Sequence, residues 1–124
     1  MDQSSLVTSG HVLVRALDQS GVPPPAAVWV YGPDTDTWKL WIVPNSQIRD
    51  ERDFYRRISV IVSKHRDQLG GLDAADTQMV SRTHPAIEGL KRLIKLPGLG
   101  AAQFTSNRFN GYYLPDSIVL RMDL

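Results

Sequence analysis

The chain has 124 residues, of which 42% are hydrophobic and 22% charged, with a formal net charge of +1 and no cysteine. This composition is typical of a globular protein and argues against wholesale disorder and a membrane protein, because no apolar run approaches the roughly 20 residues that span a bilayer. The small net charge excludes a global field that would drive the protein onto nucleic acid or anionic lipid, and the lack of cysteine excludes disulfides and thiolate chemistry.

The length predicts a single domain over residues 1–124, long enough to bury roughly two-thirds of the unfolded surface. The opening stretch MDQSSLVTSG has neither a basic flank nor an apolar segment after it, so we expect no export signal. Together with the lack of cysteine, this favours a cytoplasmic location.

A first helix is predicted from about residue 5 to residue 19. Apolar or small residues recur there at helical spacing, namely Leu6, Gly10, Leu13, Val14 and Leu17. Ser4 or Ser5 is the expected cap. Gly21 and the three prolines after it end the segment and predict a stiff extended link.

The stretch AAVWVYGPDTDTWKLWIVP predicts a hairpin, because β-branched and aromatic residues flank the polar turn GPDTDT. The second strand alternates between two faces, with Trp38, Leu40 and Ile42 on one and Lys39, Trp41 and Val43 on the other. We expect Trp38 to point into the core. Trp41 is then either covered by a loop or available to a partner.

The strongest helical pattern spans residues 50–69, where an apolar stripe runs opposite a charged face and acidic residues crowd the first turn. The stretch TQMVS then predicts a short strand. Pro85 is well placed at the first position of a third helix, with Thr83 or His84 as its cap, and Pro97 limits that helix to an end near Leu96.

The tail FTSNRFNGYYLPDSIVLRMDL contains turn signals at Asn110-Gly111 and Pro115-Asp116 between β-prone runs, and it predicts a hairpin or meander. The order of elements is therefore α-β-β-α-β-α-β-β. It indicates an α+β two-layer sandwich, with an antiparallel or mixed sheet of about five strands and about three helices packed on one face. A doubly wound parallel sheet would need strict alternation of strands and helices.

The stretch KRLIKLPGLG, residues 91–100, resembles the first half of a helix-hairpin-helix. A Gly-X-Gly turn leaves backbone N–H groups open to phosphate oxygens, and the charge around it is the most one-sided in the chain. Nucleic-acid binding would use Lys91, Arg92, Lys95, Gly98, Gly100 and Arg108.

The second half of that motif is missing. A second helix should follow the turn, with a small residue four places past the second glycine, but Phe104 stands there. The following residues are rich in β and turn formers, so the favoured reading is a helix end, a loop and then extended chain.

No assembled catalytic or metal-binding set is evident, so no cofactor is predicted. Asp34, Asp36 and Lys39 lie on one hairpin, as the carboxylates and lysine of some nuclease sites do. Asp36 and Lys39 would point to opposite faces of a strand, however, so a solvated turn is the favoured explanation for the two acids. The histidines have no Cys, His or carboxylate neighbour at metal-ligand spacing, and this holds for His11, His65 and His84.

Two stretches carry a resemblance to known proteins, RFNGYYLPDSIVLRM near the end and ALDQSGVPPPAAVWVY near the start. Together they resemble a group of short, functionally uncharacterised bacterial α+β proteins, over most of the chain. The resemblance implies a bacterial, cytoplasmic source and brings no activity, cofactor or catalytic residue with it.

The leading hypothesis is a small non-enzymatic protein that binds or regulates another protein, or a second copy of itself, through Trp41 and Lys39. Accessory subunits of bacterial operon-encoded systems, of the defence or toxin–antitoxin type, fit this description by association. The alternative is nucleic-acid binding through the basic segment. A second alternative is an enzyme whose site is assembled from distant polar residues.

Overall fold

A computed structural model describes residues 2–109 and 111–124. Its helices are α1 (Gln3–Gln19), α2 (Glu51–Lys64) and α3 (Pro85–Leu93), with single 3₁₀ turns at Arg66–Gln68 and Ala74–Asp76. Its strands are β1 (Ala26–Gly32), β2 (Thr37–Val43), β3 (Thr77–Met79), β4 (Ala102–Phe104), β5 (Asn107–Phe109), β6 (Tyr112–Leu114) and β7 (Ser117–Met122).

The helices begin at side chains that cap their free N–H groups. Asp2, rather than the expected Ser4 or Ser5, caps α1 by accepting from Ser5 N at 2.8 Å. Asp50 caps α2 in the same way. His84 caps α3, with Pro85 at the first helical position as expected.

Two helices end earlier than predicted. α2 ends at Lys64 and passes through the 3₁₀ turn Arg66–Gln68 before the glycine pair, whose members both have positive φ angles. α3 ends at Leu93 instead of near Leu96. The reason is that Leu96 pairs with Met122 of β7, through backbone hydrogen bonds of 2.8 and 2.9 Å, which draws the chain out of the helix.

The main sheet has the strand order β3-β2-β1-β7-β4, and β5 and β6 form a separate two-stranded hairpin. All pairs are antiparallel except β2 with β3. Of the predicted Asn110-Gly111 turn between β5 and β6, Asn110 lies outside the described residues, and Gly111 has a φ of 81°.

The first core lies between one face of the sheet and the helices α1 and α2. Odd-numbered residues of β1 and even-numbered residues of β2 share this face, because Trp29 lies opposite Leu40 in the pairing of the two strands. Its buried members include Ala27, Trp29, Leu40, Ile42, Leu120, Leu13, Leu17, Phe54 and Ile58. The predicted inward face of the second strand is confirmed, because Trp38 packs at the margin of this core.

A second core covers the opposite face of the sheet. There α3 and the β5–β6 hairpin bury the other side of β1, β2 and β7, with members that include Val28, Val30, Trp41, Val43, Val119, Ile87, Leu90 and Phe109. The prediction of helices on one face therefore needs correction. Both faces of β1 and β2 are apolar, so each must be covered, and α3 crosses to the second face.

The α+β class, the order of the elements, the three helices and the mixed five-stranded sheet are confirmed. Among the described residues, no helix combines the length and the apolar character needed to cross a membrane.

Candidate functional site

Trp41, the predicted partner contact, is buried in the second core with 8% of its surface exposed. Its ring meets His84 at a centroid distance of 5.0 Å and Tyr112 at 6.5 Å, both near edge-on. Of the two alternatives for Trp41, the structure has the covered one, so this side chain offers little open surface. Lys39, in contrast, is half-buried, and it donates from Nζ to Ala75 O at 2.5 Å.

The glycine turn after α3 is bound into the protein. Gly100 N donates to Leu120 O at 3.0 Å, and Gly100 O lies 2.8 Å from Nε2 of His11 on α1. Gly98 is exposed. The residues after the turn form β4 and β5, which confirms the expected extended chain and leaves the turn without a second helix. The Gly100 N–H group is therefore already used within the fold and is not free to donate to a phosphate.

The cations of the basic segment are partly neutralised. Lys91 pairs with Glu88 at 3.2 Å, and Lys95 pairs with Asp123 at 2.8 Å. Arg108 places its guanidinium carbon 5.8 Å from the centroid of the Tyr113 ring. Arg92 is exposed on α3 and forms no ion pair with another described residue.

A cavity of about 420 Å³ opens beside the turn of the β1–β2 hairpin, on the face that carries the first core. We call it the hairpin cavity. It is lined by three aromatic residues, two aspartates and two smaller residues, namely Trp29, Tyr31, Trp38, Asp36, Asp76, Leu6 and Thr37. None of these lining residues is basic.

The hairpin register places the aromatic rings together. Tyr31 and Trp38 are direct cross-strand partners, and their ring centroids lie 5.4 Å apart with the planes tilted by 55°. Trp29, two residues before Tyr31 on the same face, is buried and donates from Nε1 to Leu6 O of α1 at 2.8 Å. That bond fixes the Trp29 ring against α1, while Tyr31 and Trp38 remain half-buried.

Asp36 is held in place by the turn. Its φ of 52° lies in the left-handed region, which aspartate tolerates better than most residues. From there, Oδ1 accepts a hydrogen bond of 2.5 Å from the Tyr31 hydroxyl. This hydrogen bond, with the nearby negative charge, raises the pKa of Tyr31, so the phenol keeps its proton and donates.

Asp76 reaches the cavity from the 3₁₀ turn that precedes β3. Its Oδ2 accepts from Asp73 N at 2.9 Å in a capping box, and Oδ1 has no hydrogen-bond donor among the described residues. Neither Asp36 nor Asp76 forms an ion pair within that part of the chain. The cavity thus combines aromatic surface with two carboxylates that lack a counter-ion.

A second charged cavity, of about 440 Å³, lies at the start of α2 and is lined by Arg49, Arg52, Arg56 and Arg57 with acidic neighbours. Asp53 binds Arg56 at 2.7 Å and Arg57 at 3.1 Å. Those hydrogen bonds outweigh the desolvation of Asp53, and its pKa is lowered. This cavity therefore contains its own counter-ions, unlike the hairpin cavity.

Over residues 2–109 and 111–124, no group of three or more histidine, cysteine or acidic side chains is arranged to hold a metal ion. His84, one of the two expected candidates, caps α3. His65 is half-buried beyond the end of α2, with Nδ1 3.3 Å from Gln68 Oε1.

The hairpin cavity was not predicted, because Asp36 was expected in a solvated turn and Trp38 in the core. One signal was available, since Tyr31 and Trp38 flank the turn symmetrically and a regular hairpin pairs them. The approach of Asp76 had no such signal. It depends on the parallel pairing of β3 with β2, where Leu40 lies opposite Thr77.

Comparisons of the chain with protein-family models, with curated proteins and with solved structures gave no match.

Proposed function

We propose that this chain is a small non-enzymatic binding protein that docks onto another protein through the turn end of the β1–β2 hairpin. The observation that carries the proposal is the hairpin cavity, where Tyr31 and Trp38 present half-buried aromatic surface beside an opening of about 420 Å³. Aromatic residues in such partly desolvated positions dominate the binding energy of protein interfaces.

The hairpin supports this role because its frame is rigid. β1 is hydrogen-bonded to β2 and β7, and its residues 26–30 are buried, so we expect the cavity wall that continues from them to be fixed before a partner arrives. A preformed wall reduces the ordering cost of binding. The contact assigned to Trp41 in the sequence hypothesis is transferred to Trp38, three residues earlier on the opposite face of β2.

A comparative pulldown tests the proposal. The wild-type chain and a Trp38→Ala variant are used as bait in a lysate of the source cells, and each captured protein is purified and titrated against both. We expect a defined complex with the wild type that weakens by at least about tenfold in the variant, corresponding to about 1.4 kcal/mol.

Val60→Ser serves as the control, since Val60 is 60% exposed on α2 and does not line the hairpin cavity. Circular dichroism verifies that the variants are folded. If every captured protein bound the wild type and W38A with equal affinity, docking through the hairpin would be contradicted. Analytical ultracentrifugation of both chains determines whether the partner is a second copy.

Nucleic-acid binding is the second candidate, and the exposure of Arg82, Arg92 and Arg108 around α3 and β5 favours it. It predicts affinity for an oligonucleotide that falls steeply with salt and drops in an Arg92→Glu, Lys95→Glu double variant, because each phosphate contact releases counter-ions. Fluorescence anisotropy at low salt measures this. No binding there would eliminate the candidate.

The biological setting is inferred from the sequence alone. A bacterial, cytoplasmic accessory protein of an operon-encoded system remains the prediction, supported by the resemblance described above and by the absence of cysteine.

A further inference from the structure

We propose that the hairpin cavity receives a cation, and specifically the guanidinium group of an arginine side chain on the partner protein. This inference rests on the proposed function, because it identifies what the docking site binds. Aromatic walls and carboxylates without an ion pair among the described residues both support it.

The aromatic walls favour a cation. The faces of tryptophan and tyrosine rings carry negative electrostatic potential and attract Arg or Lys groups within about 6 Å of the centroid. Tyr31 and Trp38 are tilted by 55° with centroids 5.4 Å apart, so they form an open wedge at the entrance. A planar guanidinium can stack on one ring while its edge faces the second.

The carboxylates determine the sign of the charge. Asp36 and Asp76 line the cavity without a basic lining residue and without an ion pair among the described residues. Asp36 is exposed and Asp76 is half-buried. A cationic side chain in the cavity is attracted by both carboxylates, whereas a phosphate or a carboxylate ligand would meet two charges of its own sign.

Each carboxylate has one oxygen that can accept further hydrogen bonds. Asp36 uses Oδ1 for Tyr31, and Asp76 uses Oδ2 for Asp73 N, while Asp36 Oδ2 and Asp76 Oδ1 have no donor among the described residues. Guanidinium offers five N–H donors in a fixed plane, so one group can reach two separate acceptors. An ammonium group is a compact point charge and satisfies this arrangement less well.

Lys39 is a candidate for an internal counter-ion. Its Nζ is bound to Ala75 O, adjacent to Asp76 in the chain, but Lys39 does not line the cavity. A metal ion is a poor fit, because Ca²⁺ takes six to eight oxygen ligands and Mg²⁺ six. Among residues 2–109 and 111–124, no group of three or more acidic, histidine or cysteine side chains is arranged to hold a metal ion.

A peptide pair tests the charge requirement. Acetyl-Gly-Arg-Gly-amide is titrated into the full chain and compared with its citrulline analogue, which has nearly the same shape and no charge. NMR chemical shifts of the Trp38 indole N–H report binding at the cavity. We expect the arginine peptide to bind at least about tenfold more tightly, which corresponds to the contribution of a partly desolvated charge contact.

Isosteric variants test the two carboxylates. Asp36→Asn keeps a residue that tolerates positive φ and can still accept from Tyr31, and Asp76→Asn retains an acceptor for Asp73 N. Each should weaken the arginine peptide by about threefold to tenfold, whereas Lys39→Met should not weaken it. Equal binding of the two peptides, no indole shift, or unchanged affinity in both Asn variants would overturn the inference.

The experiment separates this inference from the proposed function. A partner complex that is lost in W38A but retained in D36N and D76N would overturn the arginine assignment and leave docking intact. Selective arginine binding with a partner complex insensitive to W38A would overturn docking through the hairpin. Ethylguanidinium that binds more tightly than the peptide would overturn the assignment to a side chain of a protein.

Discussion

Arg121 of β7 forms the most buried ion pair among the described residues. Its guanidinium binds both oxygens of Asp18 at the end of α1, at 2.7 and 2.9 Å, and donates to Pro24 O at 3.3 Å. The Arg121 side chain is 10% exposed and that of Asp18 is 30% exposed. This asymmetry determines which member of the pair is more costly to lose.

Removing Asp18 should cost more stability than removing Arg121. Asp18→Ala leaves a buried cation unpaired, for which we expect a loss of about 3 kcal/mol, the lower end for broken buried pairs. Arg121→Met leaves a carboxylate that water can reach and removes an Nε that has no acceptor, so we expect about 1 kcal/mol. Urea denaturation measures both values, and the reverse order would contradict the argument.

His84 couples stability to pH. Burial lowers the pKa of His84, whose Nδ1 accepts the capping hydrogen bond of 3.1 Å from Ala86 N. The unfolded state therefore takes up the proton first as the pH falls below about 6.5, and this uptake weakens the fold. We expect a constant urea midpoint above that pH and a progressive decrease below it.

His84→Asn should flatten this part of the profile, because asparagine also caps helices and does not titrate. His65→Gln, a change beyond the end of α2, is the matched control and should keep the wild-type decline. A decline of the same size in the H84N variant would assign the pH dependence to other groups.

At the scale of elements, α3 packs against the β5–β6 hairpin through a glycine. A Cβ added at Gly89 would overlap the side chain of Phe109, whereas a Cβ added at Gly98 has nothing within 4 Å. Phe109 is buried in the second core, so it has little room to move away.

Gly89→Ala should therefore destabilise the protein by about 1–3 kcal/mol, the range for overpacked cores. Gly98→Ala is the control and should change stability by less than about 0.5 kcal/mol. A double variant with Phe109→Leu should recover part of the loss, since the two positions are in contact. Denaturation by urea gives all three values, and a neutral G89A would mean that the hairpin shifts freely.

The elements also show what a sequence can predict. The stripe in residues 50–69, the alternation of Trp38, Leu40 and Ile42, and Pro85 at a helix start are local patterns, and each produced its element. The position of α3 was not predictable in this way. The apolar residues Val28 and Val30 require a cover on the second face, but the pattern does not say which segment supplies it.

The candidate site was less predictable than the fold. Tyr31 and Trp38 meet through hairpin register, which is local, but Asp76 arrives through β3, far along the chain. Trp41 is a second example, because the sequence left it either covered or available to a partner, and its ring packs against His84 and Tyr112. Both outcomes depend on non-local packing.

At the scale of the whole molecule, the two layers should differ in local stability. β1 has strand partners on both sides and buried faces on both sides, whereas α3 and the β5–β6 hairpin cover only the second core. We expect the amides of Val28 and Val30 to be among the slowest to exchange in native-state hydrogen exchange, and those of Glu88–Leu93 to exchange through a smaller local opening. Equal protection of both sets would indicate one cooperative unit.

β1 is paired with two strands that lie at very different distances from it along the chain. β2 follows it directly, whereas β7 comes after all the other elements, so that Val28 meets Val119. On the ribosome, β1 and β2 are synthesised long before β7. During that interval the backbone N–H and C=O groups along one edge of β1 have no strand partner. Such an edge invites pairing with other chains. Closing it is the step we expect to limit the folding rate and to make this protein depend on chaperones during its synthesis.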